Sequence, residues 1–201
     1  LHRAWLMSQG FSSAEAGLVA LVSKDMNAHD AYMVGFMEVF ADLDRWGPGT
    51  AEATRRALTM VPFEPETILE IGCGPGMATM TLADATAARI MATDTAEGAL
   101  DKLRAQIAAG GFADRIEVQN VDMAALPAPE RPWDVIWSEG SAYILGVEKA
   151  LAAWRALIRP GGALVFSDMV WRTDTPDDAI RAFWTAEYPA MATPATRAAQ
   201  A

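Results

Sequence analysis

Two hydrophobic periods divide this sequence near residue 62. Ahead of that point, apolar residues recur every three or four positions. Leu18, Leu21 and Val22 form one stripe, and Tyr32, Phe36, Val39, Phe40 and Leu43 form another. This is the spacing of amphipathic helices. Ser12 and Glu15 precede the first stripe in the arrangement of a capping box, where two side chains satisfy each other's orphan backbone donors. The segment RWGPGT, residues 45–50, then breaks the pattern. Thr50 is placed to N-cap a further helix running to about Met60, because a hydroxyl there accepts from the first helical turn.

From Pro62 onward, short apolar runs alternate with helical stretches. Candidate strands are 68–71, 89–93, 116–121, 133–137 and 163–166, and helices are expected over 77–84, 96–109 and 147–158. A last helix is expected over about 176–187, opened by Thr175 as N-cap, Pro176 at the first helical position and two acids behind it. Strands and helices alternating at this spacing predict a parallel sheet covered on both faces. The expected fold is therefore α/β, a doubly wound sheet over 62–201 with a helical N-terminal segment over 1–61. No internal repeat is visible.

Composition narrows the partners. The formal net charge is −10, and the sixteen Lys and Arg residues are scattered without a run. Binding to a phosphate backbone or an anionic membrane needs clustered positive charge, so neither nucleic acid nor membrane is an expected partner. No apolar run approaches the ~20 residues of a membrane span. No basic stretch followed by an apolar region marks a secretory leader. A single cysteine, Cys73, permits no intrachain disulfide and fits a reducing cytoplasm. The chain opens on Leu1 rather than Met and closes on ATPATRAAQA, and so reads as a partial sequence.

The chemistry concentrates in TILEIGCGPGMATM, residues 67–80. An apolar run leads into Glu70, and glycines follow at 72, 74 and 76. Glycines this dense mean a sharp turn or a close backbone approach, here between a strand and a helix, where α/β sheets bind cofactors. A triphosphate loop requires G-x-x-x-x-G-K-S/T, and no lysine lies between Pro65 and Ala99. A dinucleotide fingerprint places its third glycine where Met77 stands, which weakens the reading of a nicotinamide oxidoreductase without removing it. A non-catalytic adenosine-binding module stays open as well.

An acid followed by glycines at every second position resembles class I S-adenosylmethionine-dependent methyltransferases. The similarity spans about 62–171 and rests on motifs in order: LEIGCGPG, IMATD ending in Asp94, VDMAALP containing Asp122, WDVIWSEG, and LIRPGG before the fifth strand. Within the class, RWGPGT and SEGSAYILG are similar to a group of small bacterial methyltransferase-domain proteins.

The resemblance implies a Rossmann-like sheet and S-adenosyl-L-methionine as cofactor, with S-adenosyl-L-homocysteine as product. It also implies binding roles. Gly72, Cys73, Gly74 and Gly76 would let the methionine moiety lie against backbone, with Glu70 bracing the turn or reaching the ammonium through water. Asp94, followed by Thr95, would accept from the ribose hydroxyls. Asp122 would accept from the adenine amine, Met123 would serve a ring nitrogen through its backbone amide, and Ser138 would lie on the cofactor side of strand four. Asp122 is equally explained as a local cap, Cys73 as a small residue in a tight turn, and Met77 and Met80 as core.

Methyl transfer from a sulfonium has an excellent leaving group, so alignment of the acceptor matters most, and a base is needed only for some acceptors. The segment after strand four faces the transferred methyl in this class, which makes Glu139 and Tyr143 the catalytic candidates. It lacks the Pro-Pro-aromatic signature of base methylation in nucleic acids. Glu139 and Asp168 are acids after strands four and five, but Met169 stands where catechol chemistry would want Asn, and His2 and His29 show no ligand spacing; no metal is expected. His29 and Tyr32 are weaker candidates, on a helix expected to fold over the cofactor, and residues 46–50 are expected to close one wall. An acidic wall would favour an amine or cationic acceptor. The expected partner is a small-molecule acceptor, and a homodimer is the assembly admitted. The family's usual final pair of strands has no counterpart after residue 187.

Overall fold

The computed structural model describes residues 34–35, 38–40 and 43–200. Ser12 with Glu15, the stripe at Leu18, Leu21 and Val22, and Tyr32, Phe36, His2 and His29 lie outside the described residues, so most of the expected lid over 1–61 does too. The chain divides into two compact units, Leu1–Leu43 and Asp44–Ala201. In the first, residues 34–35 and 38–40 are helical, and the Leu43 amide donates to the Phe40 carbonyl at 3.0 Å. The second begins at Asp44, so RWGPGT and the helix behind it share a unit with the sheet.

That unit opens with helix α1, Ala51–Leu58, capped as expected by the Thr50 hydroxyl, which accepts from the Ala53 amide at 3.1 Å. Strand β1, Thr67–Ile71, follows, then α2, Met77–Ala85, β2, Arg89–Asp94, and α3, Glu97–Gly110. Strand β3, Ile116–Asn120, and β4, Trp133–Glu139, complete one half. The short α4, Ala142–Leu145, α5, Val147–Arg155, and β5, Ile158–Ser167, form the other. The strand order is β3-β2-β1-β4-β5, with every pairing parallel. From β1 the chain runs outward to β3, then returns to the other side of β1 to make β4. The order therefore reverses between β1 and β4, and loops leaving the carboxyl ends there diverge into a crevice.

Alternating side chains send the sheet's apolar residues to both faces, as period two requires. Ile68, Ile90, Val135 and Trp137 pack with Leu82 of α2 and Leu100, Leu103 and Ile107 of α3. Leu69, Ile71 and Ile136 pack on the other face with Val147, Ala150 and Trp154 of α5. The two layers hold the carboxyl ends of β1, β2 and β4 in fixed register.

Three expectations need correction. The helix expected over 147–158 ends at Arg155, and β5 starts at Ile158 rather than 163. It runs through Pro160-Gly161-Gly162, which is tolerated because, among the described residues, β5 is an edge strand with no ladder partner on its outer side. The helix expected from Thr175 begins later, as α6, Asp178–Glu187. Asp177 caps it by accepting from the Ala179 amide at 2.9 Å, while the Thr175 amide donates to Thr173 Oγ1 at 3.2 Å. After residue 187, where no final pair of strands is expected, the chain forms α7, Pro194–Gln200, and a parallel bridge between Val170 and Ala192. Among the described residues the sheet has five strands.

Candidate functional site at the carboxyl edge of the sheet

The turn after β1 is anchored before it meets anything else. The amides of Gly72 and Cys73 both donate to the Thr93 carbonyl of β2, at 2.8 and 3.0 Å, and the Gly76 amide donates back to the Cys73 carbonyl at 3.0 Å. Its glycines serve different needs. A Cβ on Gly76 would lie 2.2 Å from Leu103 Cδ1, and one on Gly72 would lie 2.3 Å from Ser141 Oγ. These two let α3 and the segment after β4 close onto the turn. Gly74 is buried beneath Trp46, whose indole atoms lie 3.8 Å from where a Cβ would stand, an ordinary contact distance.

The structure brings Asp94 to this turn. Its Oδ2 accepts from the Gly74 amide at 2.8 Å, and its Oδ1 accepts from the amides of Thr95 and Ala96 at 2.7 and 3.0 Å. One half-buried carboxylate thus joins the glycine turn to the start of α3. Beneath lies Glu70, 2% exposed. Among the described residues neither its Oε2 nor the hydroxyl of Thr79 has a hydrogen-bond partner. Burial pushes the Glu70 carboxyl up to about 8. The nearby charges of Glu139 and Asp94 add to the rise, and the Arg45 charge opposes it. Cys73 is also buried, and desolvation pushes its thiol up, which suits a packed side chain rather than a nucleophile.

Asp122 is exposed after β3 and accepts from the Ala124 amide at 2.8 Å. Met123 is half-buried against Trp154, whose indole N–H donates to its carbonyl at 3.4 Å. Ser138 is fully buried; its hydroxyl lies 2.7 Å from that of Ser141, which donates to the Ile71 carbonyl at 2.9 Å. Since the Ser141 proton is used on Ile71, Ser138 is the donor of the pair, and the two hydroxyls stitch the end of β4 to the end of β1.

Glu139 ends β4 and holds three donors. Arg45 forms an ion pair with Oε2, while the Thr54 hydroxyl and the Trp137 indole N–H donate to Oε1 at 2.7 and 2.9 Å. Arg45 also donates through Nε to the Gly47 carbonyl at 3.0 Å and through Nη2 to that of Pro48 at 3.3 Å. Tyr143, on α4, is 40% exposed, its ring centre 5.4 Å from that of Tyr188. The Tyr188 hydroxyl sits between Arg197, which donates to it at 2.6 Å, and Asp168, which it meets at 3.1 Å. Burial, followed by the Asp168 charge, pushes that phenol up to about 12. Asp168 in turn accepts from Arg197 Nε at 2.6 Å. The acids after β4 and β5 are thus each paired with an arginine. Among the described residues no three His, Cys, Asp or Glu side chains gather to hold a metal.

Sequence reasoning missed Arg45, Thr54, Ser141, Tyr188 and Arg197. Arg45 lay in a segment already singled out, yet its partner is 94 residues away, and no spacing rule reaches that far.

The family model for a methyltransferase domain matches residues 68–162. An uncharacterized protein of Haemophilus influenzae is 30% identical over 130 residues, 63% of this chain and 52% of that one. Methyltransferase GfsG of Streptomyces halstedii is 29% identical over 112 residues, 55% of this chain and 40% of its own length. The chain therefore spans about half the length of these relatives. Among solved structures, a methyltransferase from Geobacter sulfurreducens, crystallised with S-adenosyl-L-homocysteine, superposes with a TM-score of 0.69 at 19% identity, covering 78% of this chain and 64% of that one.

Proposed function

We propose, for a chain whose residues 68–162 are a methyltransferase domain of the class I, S-adenosylmethionine-dependent family, that it transfers a methyl group from S-adenosylmethionine to a small-molecule acceptor by in-line displacement. One observation carries the reading. The Gly74 amide and the Asp94 carboxylate meet at 2.8 Å, tying the turn after β1 to the end of β2 beside the point where strand order reverses.

The residues present fit this cofactor. It offers an ammonium, a ribose diol and an adenine amine, all donors, and it carries no phosphate. The chain offers acceptors to match. Among the described residues Glu70 Oε2 is buried without a partner, Asp94 Oδ2 uses one lone-pair site on Gly74 and keeps another, and Asp122 is exposed after β3. We assign the ammonium to the side of Gly72, Cys73, Gly74, Gly76 and Glu70, the ribose to Asp94 and Thr95, and the adenine to Asp122 and Met123. Ser138 acts from within, through Ser141, on the end of β1. When bound, the cofactor supplies an electrophilic methyl on a sulfonium. The chain's part is to align the acceptor and exclude water, with Tyr143 as the exposed side chain after β4 that orients it.

Glu139 and Asp168 are each held by an arginine. An acceptor that arrives deprotonated, or that needs no base, suits such an edge better than one that requires a free carboxylate. The charge of −10 without a basic run supports a small acceptor rather than nucleic acid, and the single buried cysteine supports a cytoplasmic setting. Among the described residues no helix is long and apolar enough to cross a membrane.

Calorimetric titration with S-adenosyl-L-homocysteine, beside NADH and an Asp94→Ala variant, tests the reading. Binding of the homocysteine compound and its loss in the variant are expected. Binding of NADH instead would overturn it, and cofactor binding without turnover over a broad acceptor panel would turn it into a regulatory module.

A further inference from the structure

We propose that Glu139 is a positioning residue. Through its ion pair with Arg45 it clamps residues 45–50 across the carboxyl edge and seats Trp46 on the glycine turn, and so sets how tightly the cofactor is held. The proposal deepens the methyltransferase reading and rests on it.

The clamp is built from both sides. Glu139 and Arg45 are 13% and 14% exposed at the side chain, and their pair forms at the end of β4. Arg45 Nε and Nη2 also donate to the carbonyls of Gly47 and Pro48, so one planar guanidinium fixes the strap's backbone and its anchor together. The backbones are close enough to interlock. A Cβ on Gly47 would lie 3.6 Å from the Glu139 carbonyl, and one on Gly140 would lie 3.5 Å from Pro48 Cδ. The other carboxylate oxygen takes the Thr54 hydroxyl, from the one buried residue of α1, and the Trp137 indole from inside the sheet. Strap, helix and sheet thus converge on a single carboxylate.

Two consequences follow. With a guanidinium, a hydroxyl and an indole all donating to it, Glu139 is engaged in holding these three groups together. Residue 46 is also fixed between Arg45 and Gly47, both pinned by the clamp, and its indole covers Gly74, the residue whose amide binds Asp94. The path from Glu139 to the cofactor turn therefore runs through Arg45 and Trp46.

The test measures affinity for S-adenosyl-L-homocysteine by calorimetry and its dissociation rate by stopped-flow fluorescence. The variants are Glu139→Gln, Arg45→Lys, Trp46→Ala, Trp46→Phe and the double Glu139→Gln/Trp46→Ala. Glu139→Gln and Arg45→Lys should each weaken binding about tenfold, mainly by faster release, within the coupling range of contacting groups. Trp46→Ala should do the same and Trp46→Phe should restore most of the loss. The double variant should be no weaker than Trp46→Ala alone, because the two act along one path. Additive losses, or wild-type affinity in Glu139→Gln and Arg45→Lys, would overturn the proposal while leaving the methyltransferase reading intact. If the folded wild-type chain binds no S-adenosyl-L-homocysteine, the methyltransferase reading fails and the clamp proposal fails with it. Arg45→Lys keeps the charge and serves as the second probe should Glu139→Gln fold poorly.

Discussion

Glu70 carries a charge only at a cost. Its carboxyl is buried and pushed up from 4.5 to about 8, first by desolvation. Between those values the folded chain binds a proton that the unfolded chain releases, so stability falls as pH rises, by at most about 1.4 kcal/mol per unit. From pH 5 to 8 the loss from this group is on the order of 3 kcal/mol. Urea unfolding across that range should show it, and Glu70→Gln should flatten the slope without changing stability much near pH 5. Parallel curves for the two proteins would mean that Glu70 is not buried as an acid. At this scale, what the sequence revealed depended on chain separation. Glu70, the glycines and Asp94 lie within one strand-turn-helix-strand unit, and their order carried the family resemblance. The Arg45–Glu139 and Asp168–Arg197 pairs join residues that no local rule connects. Asp122 remained ambiguous because a carboxylate after a strand can equally accept from its own turn, and here it does accept from Ala124.

At the scale of elements, the junction of β1 and α2 shows why glycine spacing alone does not reveal function. Gly76 has a φ of +93°, and a Cβ there would strike Leu103 Cδ1 at 2.2 Å and Cγ at 2.9 Å. Leu103 is fully buried and has nowhere to go. Gly74, with a φ of +53°, lies near the left-handed region that other residues enter for about 1–2 kcal/mol, and a methyl there would touch Trp46 at an ordinary distance. Gly76→Ala should therefore lose more than about 3 kcal/mol, combining strain with overpacking, and Gly74→Ala about 1–2 kcal/mol. Thermal denaturation of both variants checks the ranking, and equal losses would contradict the close packing of α3 on the turn. The strands were legible here because buried parallel strands are continuous apolar runs. The ends were less so. Pro160 and its glycines looked like a loop but lie in an edge strand, and Asp177 outcompeted Thr175 because a carboxylate two residues later meets the same need as a cap. Helix α7 was missed because PATRAAQ has no apolar face to reveal it, and polar side chains, Arg197 and Gln200, tie it to the rest of the unit.

At the scale of the whole molecule, the two apolar layers fix the sheet, and the polar clamps decide what covers its carboxyl edge. The alternation of strands and helices made a doubly wound sheet legible but not which strand crosses β1, since such sheets reverse at either the third or the fourth strand, and here it is β4. The cover after β5 was not legible, because it is made by polar contacts between distant segments. Asp168, at the end of β5, has a side chain 3% exposed and is neutralised by Arg197 of α7, which is 9% exposed. Arg197 also donates to the carbonyl of Ala190 and to Gln200, and Gln200 reaches Glu148 of α5. Arg197→Met would strand a buried carboxylate, and breaking a buried pair from one side costs about 3–5 kcal/mol. For a chain of this size each kcal/mol lowers Tm by roughly 2–4 °C, so a fall on the order of 10 °C is expected. Asp168→Asn combined with Arg197→Met removes the stranded charge and should recover at least half of the loss, because the penalty lies in the unpaired ion rather than in the missing contact. If the double variant melts as low as Arg197→Met alone, the packing of the arginine stem and Tyr188, not the charge pair, fastens α7 to the sheet.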